Sequence, residues 1–417
     1  MSTPSRQTFA IVGGGLAAAE AVKTLRADGF DGRLVVVAEE SQAPYERPPL
    51  SKDYLRGEVG REKLLAQPAE FYEQAQVELR TGRRAVELDP RERRLTLDDE
   101  RTIPFDRLLL ATGARAARPA LGGLDLPFVH LLRTVADADR LRESAAGAGS
   151  AVVAGGGWIA AETAASLRQL GLAVTLVVPG PEVLEKHLGA EIGSVLSDLH
   201  ERHGVRVRPQ SRVAAVVDGR AGRGVRLADG EIVAGDLVVL GLGATPAVEL
   251  AARAGLWVSG GIPVNERLMT EAGGIFAAGD VASAWSPRYG RRMRVEHWDN
   301  ARRQGRTAAH NLVGRAETYD RVPYFFSDQF DLGLESIGLP GDRDEVVVRH
   351  QDGGLVSLWL REGRVAAGMH ANVWEAKKTI DQLVSHGAII DRAAFVDPTV
   401  PISALTPAGP TAGSGVR

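Results

Sequence analysis

Short apolar runs recur along the chain, and the first of them opens a clear succession of elements. Phe9–Val12 predicts a buried strand, three glycines follow it, and an alanine-rich run extends to about Ala27, where Asp28-Gly29 ends it. An apolar run bounded by turn formers is typical of a buried strand, and an alanine-rich run is typical of a helix. The pattern therefore predicts a strand, a glycine loop and a helix.

The same succession occurs again in the middle of the chain. Ala151–Ala154 predicts a strand, three glycines follow, and Trp158 opens an alanine-rich run that Gly171 ends. A further strand is expected after each helix, at Leu34–Ala38 and at Val174–Val178. An internal repeat of one supersecondary unit indicates two domains built on the same plan.

Each glycine triplet satisfies the G-x-G-x-x-G/A fingerprint of dinucleotide-binding loops. Glycine lets the backbone turn tightly and approach a pyrophosphate, and the following helix directs its free N–H groups at the phosphates. Glu39 ends the second strand of the first repeat, where an acid can bind ribose hydroxyls. We expect a bulky residue at Gly13 to empty this site, because its Cβ would occupy the place of the phosphate. The fingerprint residues are Gly13, Gly15 and Ala18 in the first repeat and Gly155, Gly157 and Ala160 in the second.

Other apolar strands end in small residues, as at crossing points of a doubly wound α/β fold. After about Asp320 the pattern changes to antiparallel strands and one helix, so we predict two Rossmann-like domains and a small α+β C-terminal domain. We expect the tail, residues 406–417, to be disordered because it is rich in proline, glycine and alanine. The small-residue strand ends are Ala111-Thr112-Gly113, Gly241-Leu242-Gly243 and Gly279-Asp280; the C-terminal strands are Val346–Val348, Leu355–Leu360 and Arg364–Gly368, and the helix is Ala376–Ser385.

Composition narrows the class of protein. The 417 residues suffice for two or three domains, and 44% hydrophobic with 25% charged residues is ordinary for a globular protein. No apolar run is long enough for a membrane helix and no signal pattern opens the chain, so we expect a cytoplasmic protein. The net charge of −3 argues against nucleic acid as the partner. Cysteine does not occur, which excludes disulfides, thiolate metal sites and protein-borne iron–sulfur clusters.

Motifs outside the repeats give a specific resemblance. Residues 44–52 read PYERPPLSK, the strand ends carry ATG and GD, residues 296–298 read EHW, and residues 322–330 read VPYFFSDQF. This combination is similar to the FAD-dependent NAD(P)H:ferredoxin reductases that serve bacterial cytochromes P450 and Rieske-type oxygenases. The likeness covers about residues 7–400. It implies an FAD-binding domain of residues 1–115 and 246–320, an NAD(P)-binding domain of residues 116–245 and a C-terminal domain of residues 321–405.

The resemblance also assigns roles to single residues. It implies that Arg47 contacts the flavin pyrophosphate, that Lys52 lies beside the flavin ring and pairs with Glu162, that Asp280 binds the ribityl chain, and that Trp298 lies near the ring. Lys52, Glu162 and Trp298 are thus the candidate catalytic residues. The residues assigned to cofactor binding are Gly13, Gly15, Ala18, Glu39, Arg47, Lys52, Ala111, Thr112, Gly113, Gly155, Gly157, Ala160, Glu162, Gly243, Gly279, Asp280 and Trp298.

Each assignment has a plainer alternative. Three prolines in nine residues predict that Pro44–Lys52 is a preset loop rather than a helix or strand, and the plainer alternative is that it is a surface loop with two solvated cations. Glu162 could be an exposed helix residue, and Trp298 could be a core residue. Asp280 could cap a helix, and we expect a helix to follow it. His297 needs no role as a base, since the flavin carries the chemistry of hydride transfer. The histidines show no metal-ligand spacing, so no metal is expected.

The second nucleotide site departs from the usual pattern. Its second strand ends Val177-Val178-Pro179-Gly180, with no acid before Glu182. No arginine follows that could hold a 2′-phosphate, and the nearest cations are Lys186 and His187. A 2′-phosphate needs a positive partner, whereas a ribose hydroxyl can bind water or backbone. We therefore expect a weak preference for NADH over NADPH.

The implied activity is electron transfer from NAD(P)H through FAD to a small acidic [2Fe-2S] ferredoxin that serves an oxygenase. Seven arginines lie between Arg288 and Arg306 in a chain that is acidic overall, and we expect this segment to be the ferredoxin-docking face. Two alternatives remain open: an NADH-binding flavoprotein with a signalling or assembly role, similar to apoptosis-inducing factors, and a simple NADH oxidase.

Overall fold

The structure is a computed structural model that describes residues 7–219 and 222–405. The predicted disorder of residues 406–417 lies outside these residues. The chain divides into two compact units. The first unit comprises the residues up to Ala117, Arg133–Val135 and Gly243–Arg321, and the second comprises Arg118–Leu132, Ala136–Leu242 and the residues from Val322 onward.

Strands supply most of the elements in the described part of the chain. In chain order the strands are β1 Thr8–Val12, β2 Arg33–Ala38, β3 Val77–Thr81, β4 Ala85–Asp89, β5 Arg94–Leu97, β6 Thr102–Pro104, β7 Arg107–Leu110, β8 Ala114–Ala116, β9 Val129–His130, β10 Ser150–Ala154, β11 Ala173–Val177, β12 Arg206–Arg208, β13 Val213–Gly219, β14 Gly222–Leu227, β15 Ile232–Ala234, β16 Leu237–Leu240, β17 Ala244–Pro246, β18 Ile262–Val264, β19 Ile275–Ala277, β20 Ala282–Ser286, β21 Arg291–Met293, β22 Tyr324–Gln329, β23 Leu332–Gly338, β24 Glu345–Gln351, β25 Gly354–Arg361 and β26 Arg364–Ala371.

Helices flank the sheets. In chain order the α-helices are α1 Leu16–Ala27, α2 Asp53–Arg56, α3 Phe71–Gln74, α4 Val135–Ala146, α5 Trp158–Gln169, α6 Glu185–Arg202, α7 Glu249–Arg253, α8 Trp298–Leu312, α9 Lys377–His386 and α10 Arg392–Val396. Short 3₁₀ turns occur at Pro48–Ser51, Arg61–Leu64, Trp374–Ala376 and Ile402–Ala404.

The first unit is built on a parallel five-stranded sheet with the order β19-β7-β1-β2-β3. The strands of its centre are apolar on both faces, as expected where helices cover a parallel sheet. Two smaller sheets, β4-β5-β6 and β18-β20-β21, and the ribbon β8-β17 complete the unit. Residues of β1, α1 and α8 contribute to one continuous core, which includes Phe9, Leu25 and Leu312.

The second unit repeats this arrangement. Its parallel sheet has the order β12-β11-β10-β16-β9, in which β10 pairs with β11 and β16 as β1 pairs with β2 and β7. The antiparallel sheet β13-β14-β15 packs against it through a shared core that includes Val152, Val225 and Val238. The predicted repeat of the strand–glycine–helix–strand succession is thus confirmed.

The C-terminal residues form an antiparallel sheet with the order β22-β23-β26-β25-β24, and α9 and α10 contribute to its core. The predicted α+β character and the three predicted strands are confirmed, but β22 and β23 were not predicted. These residues fall within the second compact unit, although they have a core cluster of their own. The division into three domains with the boundaries given above stays a prediction.

Two local predictions are wrong. Pro44–Lys52 is not wholly without regular structure, because Pro48–Ser51 forms a 3₁₀ turn. Proline fixes φ near the helical value, so two prolines at the start of this turn preset it. The residues after Asp280 form β20, not a helix, so Asp280 is not a helix cap.

Candidate functional site

The first glycine loop lies at the carboxyl end of β1. Gly13 donates its N–H to the Val37 carbonyl at 2.8 Å and has φ of +140°, a backbone conformation that favours glycine. A Cβ at this position would lie 2.0 Å from the Ala111 carbonyl oxygen. Gly15 caps α1 without a side-chain hydrogen bond, and a Cβ on Gly15 would meet no described atom within 4 Å.

The second glycine loop reproduces the first closely. Gly155 donates to the Val177 carbonyl at 2.9 Å, has φ of +138°, and would place a Cβ 2.3 Å from the Gly241 carbonyl oxygen. Gly157 caps α5, again without a side-chain hydrogen bond. The nearest atom to a Cβ on Gly157 is Nε2 of His187, at 4.0 Å. The two loops therefore share one backbone geometry.

This geometry suits a dinucleotide at each loop. It also changes the expectation for a bulky residue at Gly13. The third glycine of each triplet leaves space in front of the helix N-terminus, whose N–H groups suit a pyrophosphate. Gly13 serves a different purpose, because its missing Cβ lets β1 lie against the end of β7. A bulky residue at Gly13 would therefore strain the sheet before it met a phosphate, and Gly15 is the glycine that leaves room for the ligand.

Glu39 follows β2 directly and is exposed. Its carboxylate lies 3.5 Å from the Arg115 guanidinium, which also pairs with Glu249 at 2.8 Å. Thr112, at the end of β7, donates its hydroxyl hydrogen to the Ala247 carbonyl at 2.7 Å. Glu39 and Thr112 lie at the carboxyl ends of the parallel strands β2 and β7, where open α/β sheets bind their ligands.

A partly buried set of charges joins two of the predicted flavin contacts. Arg133 donates to Oδ2 of Asp280 at 2.5 Å and to the Ala114 carbonyl at 3.0 Å. Arg47 donates to the Arg133 carbonyl at 2.6 Å and to the Glu40 carboxylate at 2.8 Å. The roles of Arg47 and Asp280 toward flavin stay predictions, but both side chains are held in place by these contacts.

Lys52 follows the 3₁₀ turn and precedes α2. Its N–H donates to the Pro49 carbonyl at 3.0 Å, and the residue is only 7% exposed. A lysine is almost never buried to this degree without polar partners. The alternative of a solvated surface cation is therefore wrong for Lys52.

Trp298 is the first residue of α8, and the Arg302 guanidinium lies 5.3 Å from its ring centre. Gln304, two turns further along α8, accepts a hydrogen bond of 2.9 Å from the Gly279 N–H. This helix therefore fixes the turn between β19 and Asp280. The role of Trp298 beside the flavin stays a prediction.

His297 caps α8, since Nδ1 accepts a hydrogen bond of 3.3 Å from the Asp299 N–H. Burial lowers the pKa of His297 to about 4, although Asp299 and Asp280 act in the opposite direction. The ring is therefore neutral near pH 7 and serves as a helix cap. Histidine is not among the usual N-cap residues, so the sequence held no sign of this role.

Glu162 lies on the second turn of α5 and is 5% exposed. Its Oε1 accepts a hydrogen bond of 2.7 Å from the Ser327 hydroxyl on β22. The alternative of an exposed helix glutamate is therefore wrong. Lys52 and Glu162 belong to different units, and their pairing stays a prediction that rests on the resemblance.

Sequence reasoning missed Arg133, Ser327, Gln329 and His200. The first holds Asp280, and the other three form a buried polar chain that ends at Glu162. Ser327 and Gln329 stand within the VPYFFSDQF motif, which carried the resemblance but was given no role in the site. No local pattern marks Arg133 or His200.

The described residues contain no group of three or more histidine, aspartate or glutamate residues that could hold a metal ion. Within the same residues, no helix has both the length and the apolar character needed to span a membrane.

Comparison with known proteins places these features in a family. Residues 7–305 match the family described as pyridine nucleotide-disulphide oxidoreductase, and residues 324–406 match the reductase C-terminal family. The chain is 36% identical over 400 residues to the anthranilate 1,2-dioxygenase system ferredoxin–NAD(+) reductase component of Burkholderia cepacia, covering 95% of this chain and 98% of that one. It is 38% identical to rhodocoxin reductase of Rhodococcus erythropolis, covering 87% and 86%.

Solved structures agree. The ferredoxin reductase for the CYP199A2 system from Rhodopseudomonas palustris matches with a TM-score of 0.92 at 33% identity, covering 95% of this chain and 99% of that one. A covalent putidaredoxin reductase–putidaredoxin complex matches with a TM-score of 0.90 at 31% identity, covering 95% and 97%. The chain therefore belongs to the pyridine nucleotide-disulphide oxidoreductase family and, within it, to the ferredoxin reductases that use FAD and NAD(P)H.

Proposed function

We propose that this protein passes electrons from NAD(P)H to a small acidic [2Fe-2S] ferredoxin that serves a monooxygenase or dioxygenase. Bound FAD supplies the conversion of a two-electron hydride donor into single electrons. Two of the relatives named above are the reductases of a dioxygenase system and of the CYP199A2 system, which supports this partner class. A cytoplasmic location stays a prediction from the sequence.

The observation that carries the proposal is the pair of matching glycine loops in a chain without cysteine. Each unit presents a helix N-terminus behind a glycine that leaves open space, so each unit suits one dinucleotide. A disulfide reductase of this fold needs a cysteine pair, and this sequence has none. Electrons that reach the flavin therefore need an external acceptor.

On the flavin side, the first unit would bind the cofactor through residues at the carboxyl edge of its sheet. Gly15 and Ala18 would admit the pyrophosphate, Glu39 would bind ribose, and Arg47 and Asp280 would present fixed charges. Lys52 and Trp298 would lie by the ring. The support is that Arg47 and Asp280 are held by Arg133 and that Lys52 is buried.

On the nicotinamide side, the second unit favours NADH. No acid ends β11, and the cations closest in sequence are Lys186 and His187 at the start of α6. The His187 ring lies 5.7 Å from the Trp158 ring, and burial, with the nearby charge of Lys186, lowers the pKa of His187. A neutral imidazole is a weak partner for a 2′-phosphate, so of these two cations only Lys186 would favour NADPH.

The arginine-rich segment Arg288–Arg306 supports a docking face, and the structure narrows it. Arg294 pairs with Glu296, and Arg303 pairs with Asp299 at 3.2 Å. Arg291 is exposed, and Arg302 lies over the ring of Trp298. Arg291, Arg292, Arg302 and Arg306 therefore supply the remaining positive charges of the segment, besides Arg288, which lies 3.9 Å from Asp320. Such a field would steer an acidic ferredoxin and weaken with added salt.

Ferredoxin-dependent NADH oxidation tests the proposal. Purified FAD-loaded protein should oxidise NADH slowly in air, and adding a purified [2Fe-2S] ferredoxin with cytochrome c as final acceptor should raise the rate more than tenfold. Equal rates with and without ferredoxin would indicate an NADH oxidase. A long-lived reduced protein that no ferredoxin reoxidises would indicate a signalling flavoprotein.

Charge reversal tests the docking face. Arg291→Glu should raise the KM for ferredoxin and leave flavin reduction by NADH unchanged. Arg292 is less suitable, since its guanidinium donates to the Val264 and Ser283 carbonyls and its loss would disturb two strands. Arg101→Glu is the matched control, because Arg101 is 73% exposed and lies in the connection between β5 and β6, outside the arginine-rich segment. If both variants raise the KM equally, the effect is one of net charge, and the docking face lies elsewhere.

A further inference from the structure

Alternate side chains of strand β22 contact α5 and α6, the two helices that follow the second glycine loop. Phe325 stacks on Trp158 with ring centres 6.3 Å apart, and Ser327 bonds to Glu162, one helical turn further along α5. Side chains two apart on a strand share a face, as do side chains four apart on a helix. One face of β22 therefore packs along one face of α5.

A chain of hydrogen bonds continues from this contact into the interior. The Ser327 hydroxyl donates to Oε1 of Glu162 at 2.7 Å and accepts from Nε2 of Gln329 at 3.0 Å. Oε1 of Gln329 lies 2.9 Å from Nε2 of His200 on α6. All four residues are buried, with exposures of 5% for Glu162, 1% for Ser327 and Gln329, and 0% for His200. The chain thus links two helices through one C-terminal strand.

The proton positions in this chain follow from its chemistry. The Gln329 oxygen can only accept, so Nε2 of His200 carries the hydrogen and donates. The opposite amide orientation would leave the single Ser327 proton between two acceptors. Burial lowers the pKa of His200 to about 4, so the ring is neutral near pH 7. In each hydrogen bond of the chain, the donor therefore lies on the His200 side and the acceptor on the Glu162 side.

A buried carboxylate requires such support. An isolated carboxylate away from water is strongly unfavourable, and a hydrogen bond to a charged acceptor is about twice as strong as a neutral one. The Ser327 hydroxyl also fixes the rotation of the carboxylate, because its own position is fixed by Gln329. Ser357, on β25 of the same sheet, shows the contrast: it is fully buried, and its hydroxyl bonds to no described residue.

We propose that Ser327, held by Gln329 and His200, is a positioning residue that orients the Glu162 carboxylate for the reaction with NAD(P)H. The inference rests on the proposed role of Glu162 on the nicotinamide side. It gives the C-terminal strand β22 a part in flavin reduction, separate from any part of this domain in ferredoxin binding.

The test compares Ser327→Ala with its matched control Ser357→Ala in the full-length, FAD-loaded protein. Stopped-flow mixing with saturating NADH measures flavin reduction. Ser327→Ala should slow this step by about 3- to 10-fold, the scale expected for loss of a hydrogen bond that positions a charged group. Ser357→Ala should change it less than about twofold, because no hydrogen bond is lost. FAD content should equal that of the wild type in both variants.

A double-mutant cycle with Glu162→Leu separates positioning from a general structural effect. Leucine removes the acceptor, so Ser327→Ala should cause no further slowing in this background. The melting temperature is a second readout: Ser327→Ala should lower it more in the wild-type background than beside Leu at position 162, where only the hydrogen bond from Gln329 is left to lose. Equal effects of Ser327→Ala in both backgrounds, or an unchanged reduction rate, would overturn the inference.

The cycle also separates this inference from the proposed function. Both readouts are independent of ferredoxin. A wild-type protein that passes no electrons to ferredoxin, yet shows the coupled effect on flavin reduction, would overturn the proposed function and support the positioning role.

Discussion

The two nucleotide-binding loops have the same backbone conformation, but the helices that follow them contact different side chains. Gly15 and Gly157 have φ of −103° and −99°, so the helices begin in nearly the same way. Glu20 and Glu162 stand at the same position after each triplet. Glu20 lies near Lys23, at 3.8 Å, whereas Glu162 is buried against Ser327. The glycines determine the conformation of each loop, whereas the neighbouring elements determine which residues of the following helix are buried.

The largest expected effect comes from the first glycine of either triplet. Gly13→Val and Gly155→Val would each force a Cβ against a carbonyl oxygen at a positive φ. We expect each to cost more than about 3 kcal/mol of folding free energy, since overpacking and backbone strain each cost about 1–3 kcal/mol. Thermal unfolding of both variants measures this. A variant that melts like the wild type would contradict the role assigned to the strand ends.

Substitution of the third glycine of each triplet should impair the binding of one cofactor and spare the other. Gly15→Val has room for the side chain within the protein, so the chain should fold but purify without FAD. Gly157→Val should retain FAD and lose affinity for NADH. Flavin absorbance and stopped-flow reduction measure the two outcomes. Loss of FAD in both variants, or in neither, would contradict the assignment of one dinucleotide to each unit.

In each unit one histidine has a pKa that burial lowers to about 4, and both histidines should make stability depend on pH. The pKa of His200 and of His297 is lowered from 6.5 to about 4, so the unfolded chain binds more protons between these values. The stability that each neutral histidine contributes is fully present above pH 6.5 and is lost as the pH falls toward 4. For His200 this loss is at most roughly 3 kcal/mol of unfolding free energy. Melting temperatures at pH 7 and pH 5 measure the change.

Two substitutions locate this pH dependence. His200→Gln keeps a donor for Gln329, and His297→Asn keeps an acceptor for the α8 N-terminus, while neither new side chain titrates. Each variant should lose part of the stability difference between pH 7 and pH 5. An unchanged difference would show that the histidine concerned does not titrate on unfolding in this range.

The smallest expected effect concerns the ends of the second strands, where Glu39 follows β2 and Val178 follows β11. With neither an acid nor an arginine after β11, we expect NADH to be preferred by only about 3- to 10-fold in kcat/KM, the scale of one charge-assisted hydrogen bond. Steady-state kinetics with both nucleotides measure the ratio. A preference for NADPH would show that Lys186 and its neighbours bind the 2′-phosphate.

The elements that could be predicted from the sequence are those that depend on residues close together in the chain. The glycine triplets, the apolar strands beside them and the C-terminal strands from Val346 onward were all predictable, because periodicity and turn residues fix them. The run after Asp280 shows the limit: short apolar stretches suit either a helix or a strand, and pairing with β18 and β21 decides for the strand. The 3₁₀ turn at Pro48–Ser51 was missed because prolines suit a loop equally well.

Contacts between distant residues could not be predicted in this way. Ser327 meets Glu162 across 165 residues of sequence, and Arg133 meets Asp280 across 147. Neither serine nor arginine is unusual at its position, so only the assembled fold reveals these pairs. The burial of Lys52 and Glu162 has the same origin, since tertiary packing determines which face of a turn or helix is covered.

The most direct test of the central claim is an anaerobic titration of the FAD-loaded protein. The protein is first reduced with one equivalent of NADH and then mixed with a purified, oxidised [2Fe-2S] ferredoxin, while flavin and ferredoxin absorbance are recorded. We predict that the flavin returns to its oxidised spectrum as two equivalents of ferredoxin are reduced, because NADH delivers two electrons and each ferredoxin accepts one. A flavin that stays reduced in the presence of excess ferredoxin would contradict the account.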